Sequence, residues 1–349
     1  MSYELSKKVR NLTPYTPLQG EYSLRLDANE SYFTIPEDIM ANCFEAIKEI
    51  SFNRYPDPYA TKLCEAFSEY YGVPKNLLTA GNGSDELIGV IVGALLQKGE
   101  KILTLTPDFS TYRFYGEIYE NPVLELKKDD DFNIDVDAVI KTVKDEDIKL
   151  LIFSNPCNPT SVGLTADKTV KLIENVDCLV VLDEAYMDFW NQSLLSKVTD
   201  YDNLIILKTC SKAIGMASVR VGFAVANQVI TKALRAVKSP YNVNSVSQAI
   251  ATAVLKEKDF LKNCEKEIIL SAKYLKMEIE NMGFQKVYDS VTNFVFVKTD
   301  KAKEIYEKLL GEGIAVRCFG EYLRITADSI ENNKMVIEKL KDITKGMVL

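Results

Sequence analysis

Two residues that can do chemistry, Asp183 and Lys212, each follow a short apolar run of the sequence. Asp183 comes directly after the run 178–182, where a charge is costly unless it is paired. Lys212 closes a Thr-x-Ser-Lys stretch that follows the run 203–207. Taken alone, Asp183 could cap the next helix and Lys212 could be a surface lysine. A carboxylate and an amine that meet in one site can carry acid–base and covalent catalysis.

The sequence contains no histidine, which excludes several kinds of catalytic and metal site. Ser/His/Asp and Cys/His nucleophile systems and the usual zinc sites all need an imidazole. The proton carrier of an enzyme with this sequence must therefore be Lys, Tyr, Asp, Glu or Cys, and we expect no metal. The net charge of -8 disfavours nucleic acid and anionic membranes as partners, because both bind basic surfaces.

The seven cysteines are scattered singly and form no CxxC pair. This spacing suggests neither a zinc site nor a disulfide framework. Residues 1–17 contain no apolar segment typical of a signal peptide, and no stretch of the chain is long enough to span a bilayer. We therefore expect a cytoplasmic protein with reduced thiols.

The apolar runs between about residues 75 and 240 predict the element that positions these residues. Each run is rich in Val, Ile and Leu and is followed by polar or Gly/Pro residues and then a helical segment, as in a parallel sheet covered by helices. The runs are 101–106, 149–153, 178–182, 203–207 and 221–226. Ligands of such sheets bind beyond the carboxyl ends of the strands, so the polar residues that follow the runs should converge.

Pyridoxal phosphate is a cofactor whose requirements match these residues. It needs a lysine amine for a Schiff base, a carboxylate beside its ring nitrogen, and donors for its phosphate. Lys212 and Asp183 meet the first two requirements. The glycine-rich stretch 81–86 leads into a helical segment and is a suitable phosphate site. It lacks the GK[ST] ending of a nucleotide-binding loop, so ATP is not implied.

Eight motifs, in order along nearly the whole chain, resemble those of the histidinol-phosphate aminotransferases, which are class-II pyridoxal-phosphate-dependent aminotransferases of fold type I. They are LDANES (26–31), RYPD (54–57), GNGSDE (81–86), NPCNPT (155–160), DEAY (183–186), SKAIGMASVRVGF (211–223), PYNVNS (240–245) and YLRIT (322–326). The resemblance implies an α/β fold in which a large domain has a mostly parallel seven-stranded sheet. A smaller α+β C-terminal domain and an N-terminal arm complete the fold, and the enzyme should be a homodimer.

The length and the change of pattern after residue 245 agree with such a division. A long helical stretch, 246–282, precedes strand candidates at 293–297 and 323–325 and a final helix at 329–345. We predict an N-terminal arm at 1–40 that packs with the small domain. The large, cofactor-binding domain should span 41–245, and a linking helix with the small domain should span 246–349.

The resemblance also implies the cofactor contacts, residue by residue. Lys212 would form the Schiff base, Asp183 would contact the ring nitrogen, and both would be catalytic together with Tyr186. Tyr186 and Asn158 would donate hydrogen bonds to the phenolic oxygen of the ring. Phe109 would stack on the ring, although a core position also agrees with the sequence. The phosphate would be held by Gly83, Ser84, Asp85, Thr209, Ser211 and Arg220, and by Tyr55 of the partner subunit.

Four residues would bind the substrates. Arg324 would bind the donor carboxylate through its planar fork. Arg317 and Tyr15 would help bind the phosphate of histidinol phosphate, and Asn29 belongs to the same pocket, although a structural role also agrees with each motif. The substrates would be histidinol phosphate with imidazole acetol phosphate, and glutamate with 2-oxoglutarate. The segment 318–323 between the two arginines is shorter than usual in this family, which leaves the substrate open.

Three alternatives to this ping-pong aminotransferase therefore stay open. An aromatic amino acid aminotransferase would share the fold and the cofactor. A decarboxylase of an O-phosphoamino acid, such as threonine phosphate, would share the motifs and differ in how it orients the carboxylate. A non-enzymatic effector-binding module of the same fold ranks last, because no basic DNA-binding segment precedes residue 40.

Overall fold

A computed structural model describes residues 3–10, 12, 14 and 16–349 of the chain. The strands are β1 (Leu24–Arg25), β2 (Leu78–Gly81), β3 (Lys101–Thr106), β4 (Val123–Lys127), β5 (Ile148–Ser154), β6 (Leu179–Asp183), β7 (Leu204–Thr209), β8 (Gly222–Ala226), β9 (Lys286–Val287), β10 (Phe294–Lys298), β11 (Ile314–Ala315), β12 (Arg317–Phe319) and β13 (Tyr322–Thr326). The helices are α1 (Lys7–Arg10), α2 (Glu37–Lys48), α3 (Thr61–Tyr71), α4 (Gly83–Leu95), α5 (Thr111–Ile118), α6 (Val136–Asp145), α7 (Ala166–Glu174), α8 (Gln228–Val237), α9 (Ser245–Leu255), α10 (Lys258–Glu280), α11 (Ala302–Gly311) and α12 (Ile330–Thr344). None of the helices in these ranges is long and apolar enough to cross a membrane.

The large sheet has seven strands in the order β2-β8-β7-β6-β5-β3-β4. The strands from β7 through β6, β5 and β3 to β4 are parallel, whereas β8 is antiparallel to both of its neighbours. The predicted α/β fold with a mostly parallel sheet of seven strands is therefore confirmed. The five predicted runs form β3, β5, β6, β7 and β8, and the two edge strands are additional.

The central strands are buried because helices cover both faces of the sheet. Side chains alternate along a strand, so Leu150 and Ile152 of β5 pack under α4, α5 and α8, while Leu151 and Phe153 pack under α2, α3, α6, α7 and α9. Every residue of β7 is buried. Short runs of Val, Ile and Leu suit such strands because apolar side chains are needed on both faces.

A second core lies around a four-stranded antiparallel sheet with the order β12-β13-β10-β9. Helices α10, α11 and α12 cover one face of this sheet, and the parallel β1–β11 pair adds Leu24 and Ile314 to the same core. Helix α9 packs in the large core instead, as does Leu261 at the start of α10. The domain boundaries at residues 40 and 245 stay predictions.

The two faces of the small sheet differ in chemistry. Val295 and Val297 of β10 and Leu323 and Ile325 of β13 point into the second core. The alternate residues therefore point to the other face, towards the large domain. On β13 and β12 these include Arg324 and Arg317. One face of the small sheet is therefore apolar and packs in the second core. The other face carries the two arginines and the aromatic rings of Phe296 and Tyr322.

Candidate active site

The carboxyl ends of β5, β6 and β7 bring the predicted polar residues to one edge of the large sheet. Ser154, the last residue of β5, pairs with Asp183, the last residue of β6. Backbone hydrogen bonds continue the alignment just past the ends of the strands. The Asn155 amide donates to the Asp183 carbonyl, and the Glu184 amide donates to the Leu207 carbonyl of β7. The motif residues that follow these strands consequently lie side by side.

Asp183 is a buried carboxylate, with only 3% of its surface exposed. The Tyr112 hydroxyl donates to Oδ2 at 3.0 Å, and the Ala185 amide donates to Oδ1 at 3.1 Å. Burial nonetheless raises the pKa of Asp183 to about 7, and these two hydrogen bonds only partly oppose that rise. A cationic partner at this carboxylate would restore its ionised form.

Lys212 lies close to Tyr186 and to the chain at Ala28. Its Nζ donates to the Ala28 carbonyl at 2.7 Å and lies 5.8 Å from the centroid of the Tyr186 ring. The Tyr186 hydroxyl accepts a hydrogen bond from Nδ2 of Asn29 at 2.9 Å. Asn29 is held in turn by the Thr326 hydroxyl, which donates to Oδ1 at 2.9 Å. The lysine, the tyrosine and Asn29 therefore form one connected group.

The predicted phosphate residues converge at the first turn of α4. Arg220 donates to the Ser211 hydroxyl at 3.3 Å and to Oδ2 of Asp85 at 3.4 Å. The Thr209 hydroxyl donates to the Ser211 hydroxyl at 3.1 Å. Ser84 lies in the first turn of α4, where backbone amides have no partner within the helix. Amides at a helix start, two hydroxyls and a guanidinium are the donors that a phosphate needs.

Two glycines allow this convergence. A Cβ on Gly83, whose φ is +76°, would lie 2.7 Å from Nη2 of Arg220. A Cβ on Gly222 would lie 2.4 Å from the amide nitrogen of Ser84. Both distances are shorter than real Cβ contacts, so only glycine lets β8 and Arg220 approach the start of α4 this closely.

Arg324 and Arg317 enter the site from the small sheet. Arg324 is buried, with 6% of its surface exposed, and donates to Oδ1 of Asn158 and to the Asp27 carbonyl. Arg317 is half-buried and lies directly opposite Arg324 in the antiparallel β12–β13 pair. The hydrogen bond from Arg324 to Asn158 links the small sheet to the NPCNPT segment of the large domain.

The remaining predicted residues have different surroundings. Phe109 is half-buried and meets the Tyr112 ring edge-on at 5.7 Å. Tyr55 is 81% exposed and stacks on Tyr241 at 4.6 Å, so its prediction as a ligand across a subunit interface stays a prediction. Tyr15 lies outside the described residues.

Tyr112, whose hydroxyl donates to Asp183, is a site residue that was not predicted from the sequence. It lies three residues after Phe109 at the start of α5, and its side chain is fully buried. A tyrosine in a helix next to a sheet is most often a core residue. The signal that could have found it is its closeness in sequence to Phe109, which was predicted to stack on the ring and which directly precedes the N-cap residue of α5.

These residues fit pyridoxal phosphate on three counts. Asp183 is a buried carboxylate that lacks a cationic partner among its hydrogen bonds in the described ranges and would gain one in a protonated ring nitrogen. Lys212 belongs to the connected group that includes Tyr186, which lies three residues after Asp183 in the chain. Ser84, Thr209, Ser211 and Arg220 supply the phosphate donors at a glycine-formed opening.

Comparison with known proteins agrees with this geometry. Residues 22–340 match the family model described as aminotransferase class I and II. The histidinol-phosphate aminotransferase of Clostridium novyi (strain NT) is 41% identical over 347 residues, which cover 98% of each chain. The chain belongs to the histidinol-phosphate aminotransferase family. Membership confirms the predicted aminotransferase and its cofactor, pyridoxal phosphate.

Solved structures agree at the level of the fold. Histidinol-phosphate aminotransferase from Sinorhizobium meliloti, in complex with pyridoxal-5'-phosphate, has a TM-score of 0.88 at 23% identity and covers 98% of this chain and 97% of its own. The enzyme from Clostridium acetobutylicum has a TM-score of 0.85 at 22% identity and covers 93% of this chain and 100% of its own. The predicted fold-type-I architecture is therefore confirmed.

Proposed function

We propose that this aminotransferase transfers an amino group between histidinol phosphate and 2-oxoglutarate by a ping-pong mechanism, and that in histidine biosynthesis this reversible reaction runs from glutamate to imidazole acetol phosphate. The observation that carries the proposal is the pair of arginines on the small sheet, Arg317 and Arg324. Arg324 donates to the Asp27 carbonyl, which is next in the chain to the Ala28 carbonyl that Lys212 contacts. One substrate ends in a phosphate and the other in carboxylates, so one pocket must bind both anions in turn. A guanidinium fork binds either anion in the same geometry.

The cofactor, when bound, supplies the electron sink that stabilises negative charge at the carbon bearing the amino group. Lys212 would hold the cofactor covalently until the amino donor displaces it. Its Nζ would then be the base that takes the proton from that carbon of the donor. The Asp183 carboxylate would hold the proton of the ring nitrogen.

Other residues would fix the orientation of the ring. Tyr186 and Asn158 would donate to the phenolic oxygen, and Asn29, which already contacts the Tyr186 hydroxyl, would keep that hydroxyl in place. Phe109 would stack on the ring. The phosphate would be bound at the start of α4 by Gly83, Ser84, Asp85, Thr209, Ser211 and Arg220.

The enzyme would act as a homodimer in the cytoplasm. Tyr55 is exposed beside Tyr241 in an open pocket lined mainly by apolar and aromatic residues, which suits a surface covered by a second copy of the chain. In a homodimer, Tyr55 of the partner subunit would reach the cofactor phosphate. The seven cysteines are all free, as is usual in the cytoplasm, where we expect the enzyme to work.

A donor comparison tests the substrate. Purified holoenzyme is given histidinol phosphate, phenylalanine, tyrosine or O-phosphothreonine, each with 2-oxoglutarate, and the formation of glutamate and of carbon dioxide is measured. We expect the highest kcat/KM for histidinol phosphate and no carbon dioxide. Preferred use of the aromatic amino acids would instead support the aromatic aminotransferase, and carbon dioxide from O-phosphothreonine would support the decarboxylase. The likeness to the histidinol-phosphate aminotransferase of Clostridium novyi supports the first of these outcomes.

A further inference from the structure

The short hairpin between Arg317 and Arg324 carries an aromatic ring at its tip. Phe319, the last residue of β12, lies with its ring centroid 5.7 Å from the guanidinium carbon of Arg324. Its side chain is 37% exposed, whereas Arg324 beneath it is buried. The ring is therefore an outer layer between the guanidinium and the solvent.

The register of the sheet explains why Phe319 reaches Arg324. Arg317 and Phe319 are two residues apart on β12 and so point to the same face, which is also the face of Arg324. Phe319 pairs with Tyr322 in the register, which places it diagonally from Arg324, within reach of a large side chain. The hairpin turns through Gly320, whose φ is +63°.

A second ring contacts the same guanidinium from the other side of β13. Phe294 of β10 lies 5.4 Å from the guanidinium carbon and is fully buried. Because β10 and β12 flank β13, rings from both neighbouring strands contact Arg324. Its two terminal nitrogens meanwhile donate to Asn158 and to the Asp27 carbonyl. The guanidinium is thus held by rings and by hydrogen bonds.

Phe319 is itself supported by an aromatic layer. The Phe296 ring lies 6.2 Å from it at an angle of 60°, and Phe296 stacks on Tyr322 at 5.0 Å with the ring planes 4° apart. The Thr299 amide donates to the Glu321 carbonyl at 2.9 Å and ties the hairpin to the end of β10. A half-exposed aromatic ring held in this way has a fixed position over the cation.

We propose that Phe319 is a positioning residue that caps Arg324 and so sets how tightly the site binds the anionic end of its substrates. A ring over a cation attracts it through the ring quadrupole, and the attraction is larger where water is excluded. Exclusion of water also strengthens the pairing of the guanidinium with an anion. The inference rests on the proposed function, because it assumes that Arg324 is the anion-binding residue.

Binding of two unreactive anions to the holoenzyme tests the role of Phe319. Glutarate and inorganic phosphate are titrated by calorimetry into wild type and into Phe319→Ala, Phe319→Leu and Phe319→Tyr. We expect Phe319→Ala to weaken the binding of both anions roughly 3- to 30-fold, which is the range of a partly desolvated cation–π contact. Phe319→Tyr keeps the ring and should stay within about twofold of wild type, with Phe319→Leu between the two.

Kinetics supply a readout that a merely structural role would not change. In Phe319→Ala we expect KM for glutamate to rise while kcat stays nearly constant. Added salt should raise this KM further, because dissolved ions screen an uncovered guanidinium more strongly. Phe114→Ala, which removes a similarly exposed ring from α5, is the matched control and should leave both constants unchanged.

The variant Arg324→Ala distinguishes failure of the proposed role of Phe319 from failure of the proposed function. If Arg324→Ala weakens glutarate binding and Phe319→Ala does not, the cap is disproved while the anion site stands. If Arg324→Ala leaves glutarate binding unchanged, the anion site of the proposed function is itself wrong. A fall in kcat without a rise in KM for Phe319→Ala would also contradict the cap.

Discussion

Arg317 and Arg324 are direct partners across the β12–β13 pair, so two guanidinium groups start from neighbouring points on one face of the small sheet. Like charges directly opposite each other on a sheet are destabilising. An anion bound between the two side chains would remove that cost. The pair therefore points to an anionic ligand, and both arginines follow from motifs in the sequence.

Alanine variants of the two arginines should affect the two half-reactions differently. Arg324→Ala should weaken both of them, with a loss of roughly 2–4 kcal/mol if a buried anion is left without its partner. Arg317→Ala should impair the half-reaction with histidinol phosphate more than the one with glutamate. Single-turnover kinetics of each half-reaction measures this, and equal losses in Arg317→Ala would disprove the division of roles.

Asp183→Asn should keep the fold and bind the cofactor but lose activity, because an amide cannot hold the ring proton as a carboxylate does. We expect kcat to fall by more than about a hundredfold. An activity within about tenfold of wild type would correspond to less than ~1.4 kcal/mol of transition-state stabilisation, too little for this role.

The same variant should change how stability depends on pH in the cofactor-free protein. Burial raises the pKa of Asp183 from 3.8 to about 7, so the folded chain keeps a proton that the unfolded chain loses. The free energy of unfolding should then fall as pH rises through the window between these values, by on the order of a few kcal/mol. Urea unfolding across that window should show a shallower fall for Asp183→Asn. Parallel curves for the two proteins would contradict the burial argument.

Tyr112→Phe removes the hydroxyl that donates to Asp183. Since that hydrogen bond lowers the pKa of Asp183 in the folded chain, its loss should extend the upper end of the window of falling stability to higher pH. A hydrogen bond to a charged group is worth about 1.5–3 kcal/mol, so kcat should fall about tenfold or more. Tyr115→Phe on the same helix is the control. An unchanged pH window in Tyr112→Phe would mean that the hydroxyl does not influence the carboxylate.

Much of the large sheet could be predicted because its central strands are buried on both faces. Lys101–Thr106 forms β3 with the predicted bounds, and β6 and β7 begin within one residue of theirs. The edge strand β4 was missed because its apolar residues alternate with Glu125 and Lys127, as a partly exposed strand allows. The antiparallel direction of β8 was not predicted, because a buried strand has the same pattern in either direction.

The site was predictable where a motif places a residue at the end of a strand or shortly after it, as for Asp183 and Lys212. Contacts that depend on how two elements pack could not be read from the sequence. The register that sets Arg317 opposite Arg324 depends on the turn of the hairpin. The hydrogen bond from Tyr112 to Asp183 depends on where α5 lies against β6.

The central claim is that Lys212 carries the cofactor, and borohydride reduction followed by peptide mapping tests it most directly. Wild-type holoenzyme is reduced, digested and analysed by mass spectrometry, with Lys212→Ala treated in parallel. We predict that the cofactor is fixed to the peptide that contains Lys212 in wild type and to no peptide in Lys212→Ala. Fixation of the cofactor to any other lysine of the wild-type protein would contradict the claim.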